Sequence, residues 1–269
     1  MTKMPESIVQ PDGSAWLGYE GGSEKNRRAG VIICPGGGYE IIAPREGMPV
    51  AREFERHSLR AFVLNYSLTP VPLGMRPVRE LAWAVRTLRE RSGELGFPGD
   101  KVVVCGFSAG GHIAASLGVH WKNRKIFPES PGDSLHRPDA MILAYPLITP
   151  GSLPPEGAGY IMAKLLDDST SVDLFSLDKH VTSGAPPTFI WHTAADSLVP
   201  VRNSISFFEA LNSEGIPAEL HIYPRGDHAL ALAAKDPHIA GWLAQSVEWL
   251  KYPFIMGEDG NSIPPNGGV

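Results

Sequence analysis

Six short stretches of the chain are almost wholly apolar: residues 30–34 (GVIIC), 61–66 (AFVLNY), 101–105 (KVVVC), 139–145 (DAMILAY), 188–192 (TFIWH) and 218–223 (AELHIY). They are rich in β-branched and aromatic residues and bounded by Gly, Pro or Asp, the pattern of strands buried on both faces. Between them the period changes. Leu81, Val85 and Leu88 recur at helical spacing in a segment opened by Pro77 and Glu80 and closed at Ser92-Gly93. Ile239, Trp242, Leu243, Ser246, Val247 and Leu250 form a second stripe, and residues 201–213 read as a third helix stopped by Gly215 and Pro217. Strands alternating with helices predict βαβ units, hence a mostly parallel sheet of about eight strands with helices on both faces.

Two stretches break the alternation. Residues 121–138 are charged and Pro-containing, and read as a surface excursion. Residues 147–187 are rich in Pro, Gly, Ser and Asp, with one weak helix around 158–166. Loops of this length inside a domain are usually functional, so this one is expected to form a partial cap. The organisation predicted is one domain over residues 1–256 and a loose C-terminal tail over 257–269.

Composition then narrows the class. Of 269 residues, 43% are hydrophobic and 20% charged, which suits a globular chain able to bury its own core. A net charge of −5 and no basic run give no footprint for nucleic acid. No uncharged apolar run approaches the length of a membrane span, and the first ten residues lack the apolar core of a secretory signal. A cytoplasmic protein without nucleic-acid or membrane partners is therefore expected. Cys34 and Cys105 each end an apolar run and read as small buried hydrophobes, not a disulfide framework.

The chemistry concentrates in KVVVCGFSAGGHIAASL, residues 101–117. A buried strand runs into Gly106-Phe107-Ser108-Ala109-Gly110 and on into a helix-forming stretch, which is the G-x-S-x-G nucleophile elbow in its strand–turn–helix context. Small residues two before and two after the serine let strand and helix pass closely. The hydroxyl of Ser108 is thereby set at a helix N-terminus, where amides can stabilise an oxyanion. A dinucleotide-binding G-x-G-x-x-G loop would explain some of the same letters. Serine, however, stands at its critical second glycine, and the acidic residue some 20 positions on would be Glu129, in a Pro-rich loop and not at a strand end. The run Gly36-Gly37-Gly38 fares no better, with Ile41 at its last glycine place.

Gly36-Gly37-Gly38-Tyr39 after the first strand is instead the second piece of an acyl-transfer site. The tetrahedral oxyanion needs backbone donors, expected here from Ala109 and from Gly37 or Gly38. A serine also needs a base, and in this architecture the order is Ser, acid, His. Of the downstream histidines, His221 falls mid-strand and His238 at a helix start. His228 lies on the loop after the last strand, where it can reach the serine. Asp196 follows the penultimate strand and is the expected acid. Asp227 adjoins His228, but neighbouring side chains diverge, and Asp167, Asp168 and Asp173 read as surface residues of the insertion. No His/Cys/Asp cluster has metal-ligand spacing, so no metal and no organic cofactor is expected.

CPGGGYEIIAPREGMPVAREF, AFVLNYSL, VVVCGFSAGGHIAASL, HTAADSLVPVRNS and GDHAL together resemble the acetyl-xylan-esterase-like α/β hydrolases, some of them described as xylanase- or feruloyl-esterase-related. The resemblance covers about residues 28–250. It implies an α/β-hydrolase fold, a triad at Ser108, Asp196 and His228, an oxyanion loop at residues 36–38, and carboxylester substrates that are often sugar acetates. It also marks Arg45-Glu46-Gly47 as a family feature near the pocket, with no role that sequence explains. Pro35 stands where related HGGG lipases carry His, which leaves the backbone donors intact. Short acetylated oligosaccharides or other small esters are the substrates expected. The alternatives are a general short-chain lipolytic esterase, a peptidase of the prolyl-oligopeptidase type and a silent binding protein. Such a peptidase usually carries a large N-terminal propeller, for which the 25 or so residues before the first strand leave no room. An intact Ser, Asp and His argue against the silent protein. Composition carries no information on oligomeric state.

Overall fold

The six apolar runs become the six parallel strands of one sheet. In the computed structural model, which describes residues 6–20, 27–70, 72–128 and 134–251, they are β3 (Gly30–Cys34), β4 (Arg60–Asn65), β5 (Val102–Phe107), β6 (Ala140–Ala144), β7 (Thr188–Thr193) and β8 (Ala218–Tyr223). Two further strands, β1 (Glu6–Val9) and β2 (Trp16–Tyr19), pair antiparallel with each other, and β2 pairs antiparallel with β4. The order across the eight-stranded sheet is β1-β2-β4-β3-β5-β6-β7-β8. The sequence pattern had not singled out β1 and β2. Each has only four residues, and neither β1 at the sheet edge nor β2 beside it shows the continuous apolar run of a buried strand or a clean alternation.

Alternation along the strands sends successive side chains to opposite faces. Ile32, Val104, Leu143 and Ile190 join one core with α2 (Arg76–Glu90), α4 (Ala109–His120) and α6 (Arg202–Ser213). Val31, Val103, Ile142 and Phe189 join the other with α1 (Met48–Arg56), α7 (Pro237–Ala240) and α8 (Trp242–Trp249). Every residue of α4 is buried, His112, Ser116 and His120 among its small and apolar residues included. The predicted stripe over 239–250 divides into α7 and α8 at Gly241. The segment opened by Pro77 passes from α2 into a single turn, α3 (Ser92–Leu95), stopped by left-handed Gly96. α1 carries only Val50, Ala51 and Phe54 inward, a stripe too narrow to stand out among its charged residues.

Residues 147–187 hold α5 (Pro155–Leu165) and three 3-10 turns. The carbonyls of Lys164 and Leu165, at the end of α5, accept the amides of Leu73 and Gly74. The predicted domain limit at 256 and the tail over 257–269 lie outside the described residues. Among the described residues no helix is long and apolar enough to cross a membrane. Cys34 and Cys105 are free and buried, and burial pushes both thiols well above their ordinary range.

The strand order decides where a site can form. From β3 the chain moves outward to β4 on one side, and from β5 onward it builds on the other side. The loop after β3 leads to α1 on one face and the loop after β5 leads to α4 on the opposite face. Neighbouring loops that part in this way leave a crevice at the carboxyl ends of the strands.

Candidate active site

Ser108 sits in that crevice, between β5 and α4, with φ 51° and ψ −116°. A non-glycine residue with positive φ is strained, and here the surroundings hold it in place. The Ser108 amide donates to the Ala144 carbonyl at 3.1 Å, and the Leu147 amide donates to the Ser108 carbonyl at 3.2 Å. The flanking glycines are sterically required. A Cβ on Gly106 would lie 2.5 Å from the Gly110 carbonyl oxygen, and one on Gly110 would lie 2.0 Å from the Cys34 carbonyl oxygen. Only bare backbone lets β3, β5 and α4 meet so closely.

His228 reaches the serine from the loop after β8. Its Nε2 is 2.8 Å from Ser108 Oγ, and its Nδ1 is 2.7 Å from Asp196 Oδ2. An ionised carboxylate only accepts, so Nδ1 carries the proton and Nε2 is left to accept from the serine hydroxyl. Asp196 lies on the turn after β7 with its side chain 1% exposed. Its Oδ1 accepts the Leu198 and Val199 amides at 3.0 and 2.8 Å, so the carboxylate closes its own turn while facing the histidine. Burial alone would raise this carboxyl. The hydrogen bonds from His192 and His228, the charge of His228 and the Val199 amide outweigh it and hold Asp196 well below the usual carboxylate range. Asp227 does not compete. It is exposed, and its Oδ1 accepts from Ser197 and from the backbone amide of His228, not from the ring.

The glycine loop faces the same point. A Cβ on Gly36 would lie 3.0 Å from Ser108 Cβ. Gly37 and Gly38 have φ 122° and 61°, values that favour glycine, and among the described residues neither of their amides has a hydrogen-bond acceptor. Ala109 is the first residue of α4, where a helix leaves its amides without internal partners. The residues expected from sequence are thus brought together: Ser108, His228, Asp196, Ala109 and the loop of Gly37 and Gly38.

Several contributors had no sequence signal. His192, buried at the end of β7, places Nε2 3.1 Å from Asp196 Oδ2 and 3.0 Å from the Val199 carbonyl. Both are acceptors, so Nε2 is protonated, and Nδ1 accepts the Ser204 hydroxyl at 2.8 Å. Lys164 of α5 donates to the Gly38 carbonyl at 3.0 Å and pairs with Glu40 at 2.8 Å, tying the insertion to the glycine loop. Tyr39 of that loop lies 2.7 Å from Nδ1 of buried His112, whose Nε2 faces the Phe175 carbonyl. The local sequence around each reads as ordinary helix, strand or loop. Among the described residues no cluster of His, Cys, Asp or Glu could hold a metal ion.

Residues 31–232 match a family described as having the alpha/beta hydrolase fold. The chain belongs to that family. This α/β hydrolase is 38% identical over 221 residues to endo-1,4-beta-xylanase B of Butyrivibrio fibrisolvens, a match covering 80% of this chain and 34% of the relative. It is 28% identical to an acetylxylan esterase of Xylanibacter ruminicola, over 89% of this chain and 50% of that protein. The chain therefore spans between a third and half the length of these relatives. Among solved structures, an acetyl ester-xyloside bifunctional hydrolase from Caldicellulosiruptor lactoaceticus superposes with a TM-score of 0.82 at 31% identity, covering 96% of this chain and 99% of the other.

Proposed function

We propose that this α/β hydrolase is a serine carboxylesterase acting on short acyl esters, chiefly acetyl esters, with acetylated sugars or xylo-oligosaccharides as its natural substrate class. The observation that carries the reading is the continuous relay from Ser108 Oγ through His228 to Asp196, with both links under 3 Å. Ser108 attacks the ester carbonyl as His228 Nε2 takes its proton. Asp196 holds the productive tautomer and stabilises the imidazolium. The amides of Ala109 and of Gly37 or Gly38 bind the oxyanion. His228 then protonates the leaving alcohol, and water, activated by the same base, releases the acid from the acyl-enzyme.

The acetyl and sugar preference draws support from the relatives named for acetylxylan and acetyl ester-xyloside hydrolysis. It also draws on the insertion, taken here as a partial cap. Its one α-helix, α5, is 11 residues long, and its end is pinned to residues 73 and 74. A segment so short and so anchored suits the rim of a small pocket better than a groove for a long acyl chain.

The test is a p-nitrophenyl ester series with acetylated xylo-oligosaccharides alongside. Acetate should be cleaved best, butyrate more slowly and palmitate barely. Each methylene in a pocket is worth ~1–3 kcal/mol, so the decline should be steep. Ser108→Ala should remove roughly three or more orders of magnitude of activity, and a fluorophosphonate should label Ser108 alone. Rates rising through eight carbons would refute the acetyl reading, and an active Ser108→Ala would refute the mechanism.

A further inference from the structure

Glu46 is a charged residue where none is expected. It stands at the end of a 3-10 turn, Pro44–Glu46, between the glycine loop and α1, and is 1% exposed. Among the described residues it makes no ion pair: its neighbour Arg45 is exposed, and the charges of His228 and Arg45 act on it without a salt-bridge contact. Its partners are instead neutral donors. Oε2 accepts the Gly36 amide at 2.7 Å, and Oε1 accepts the Tyr145 hydroxyl at 2.8 Å. Burial pushes its carboxyl above the ordinary value, against the pull of these two bonds and of the His228 and Arg45 charges. Removing a carboxylate from water is costly, and its hydrogen bonds offset that cost.

What it holds can be followed atom by atom. Gly36 is the first residue of the glycine loop and packs against Ser108 Cβ. On the other side, the Tyr145 oxygen accepts the Ala231 amide at 2.8 Å, three residues beyond His228. The loop past His228 is strained, because Ala229, Ala231 and Ala233 all have positive φ, at 59°, 52° and 49°. An alanine in that region is strained and persists only when its surroundings over-determine it. Ala231 is clamped on both sides, its amide by Tyr145 and its carbonyl by Trp242 Nε1 at 3.0 Å. The Tyr145 ring also stands edge-on to His228, centroids 5.1 Å apart. One buried chain of hydrogen bonds, Gly36–Glu46–Tyr145–Ala231, therefore ties the loop of the oxyanion donors to the loop of the base.

We infer that Glu46 is a positioning residue for catalysis, which through Tyr145 fixes the glycine loop and the His228 loop relative to Ser108. The inference rests on the esterase reading above. It gives a role to the glutamate of Arg45-Glu46-Gly47. It also makes a kinetic demand: geometry at the oxyanion matters more in the transition state than in the ground state, so its loss should appear in kcat and not in KM.

The experiment compares the parent with Glu46→Ala, Glu46→Gln, Tyr145→Phe and the Glu46→Ala/Tyr145→Phe double variant on p-nitrophenyl acetate. A trifluoromethyl ketone serves as the probe of the tetrahedral adduct. Glu46→Ala and Tyr145→Phe should each lower kcat about 10- to 100-fold with KM within about threefold, and weaken the ketone in step with kcat. Glu46→Gln, whose amide oxygen can still accept from Gly36, should recover part of the loss. The double variant should be little worse than the poorer single, because both cut one chain. Should Glu46→Ala fail to fold, Tyr145→Phe carries the test, since its ring keeps its packing against Phe107 and Trp191. A lowered melting temperature with unchanged kcat and ketone affinity would make the network merely structural and overturn the inference. So would losses that add in the double variant. A parent inactive on acetate, or active without Ser108, overturns the esterase reading and the inference with it. An active, Ser108-dependent parent indifferent to Glu46 overturns the inference alone.

Discussion

Replacing Asp196 by Asn changes one oxygen to an NH2 group, and the structure dictates where that group must go. On the Oδ1 side it would oppose the Leu198 and Val199 amides, which cannot turn away. On the Oδ2 side it faces His228 and His192, whose protons can move between ring nitrogens. The NH2 therefore settles toward the histidines. His228 must accept through Nδ1, its proton shifts to Nε2, and Ser108 loses its base. Restoring the productive tautomer leaves buried donors opposed, at about 1–3 kcal/mol. The transition state also loses the carboxylate's attraction for the imidazolium, about 4 kcal/mol for unit charges ~4 Å apart at an effective dielectric of 20. The sum, about 5–7 kcal/mol, predicts a fall in kcat of roughly 10⁴- to 10⁵-fold. Asp227→Asn removes a charge from an exposed carboxylate whose acceptor role toward Ser197 and the His228 amide an amide oxygen can keep, so kcat should stay within about threefold. Initial rates on p-nitrophenyl acetate at pH 8, with ¹⁵N NMR of the His228 ring for the tautomer, decide the matter. A greater loss from Asp227→Asn, or an Asp196→Asn variant keeping a tenth of the activity, would refute the reasoning.

Two further outcomes concern stability. Gly110→Ala should destabilise by about 3 kcal/mol or more, because the new Cβ would lie 2.0 Å from the Cys34 carbonyl oxygen. Gly159→Ala, in α5 with open space around it, should instead raise the melting temperature slightly, and equal effects at the two sites would refute the steric account. The second outcome is a pH dependence. Burial lowers His112 and His120 from 6.5 to about 4, so both stay neutral in the fold while the unfolded chain takes up protons below 6.5. Their stabilising contribution is complete above pH 6.5 and is lost as pH falls toward 4, by up to about 3 kcal/mol for fully buried His112. Melting temperatures between pH 7 and 4.5 should fall, and fall less in His112→Gln; a flat profile would contradict the assignment.

The parts of this protein legible in its sequence are those whose physical cause is local. Strands β3 to β7 announced themselves because a strand covered on both faces is apolar nearly throughout, and five or six residues suffice to show it; β8, expected to be buried likewise, is instead the half-exposed edge strand, which is why it admits Glu219 and His221. The elbow was legible because Gly106, Ser108 and Gly110 answer a steric demand contained within one turn. His228 could be chosen over His221 and His238 because chain order and a loop position narrow the field. What only the tertiary structure decided are pairings between distant residues. Asp196 and Asp227 both sit on turns near His228, and only the fold shows one aimed at the ring and the other at the backbone. Tyr145 lies 99 residues from Glu46 and His112 lies 73 from Tyr39, with nothing in either neighbourhood to nominate the partner. Glu46 was visible as part of a motif yet mute. A buried carboxylate declares its role through the donors that surround it, and those donors are assembled by packing β3, β6 and the loop after β8 around one crevice.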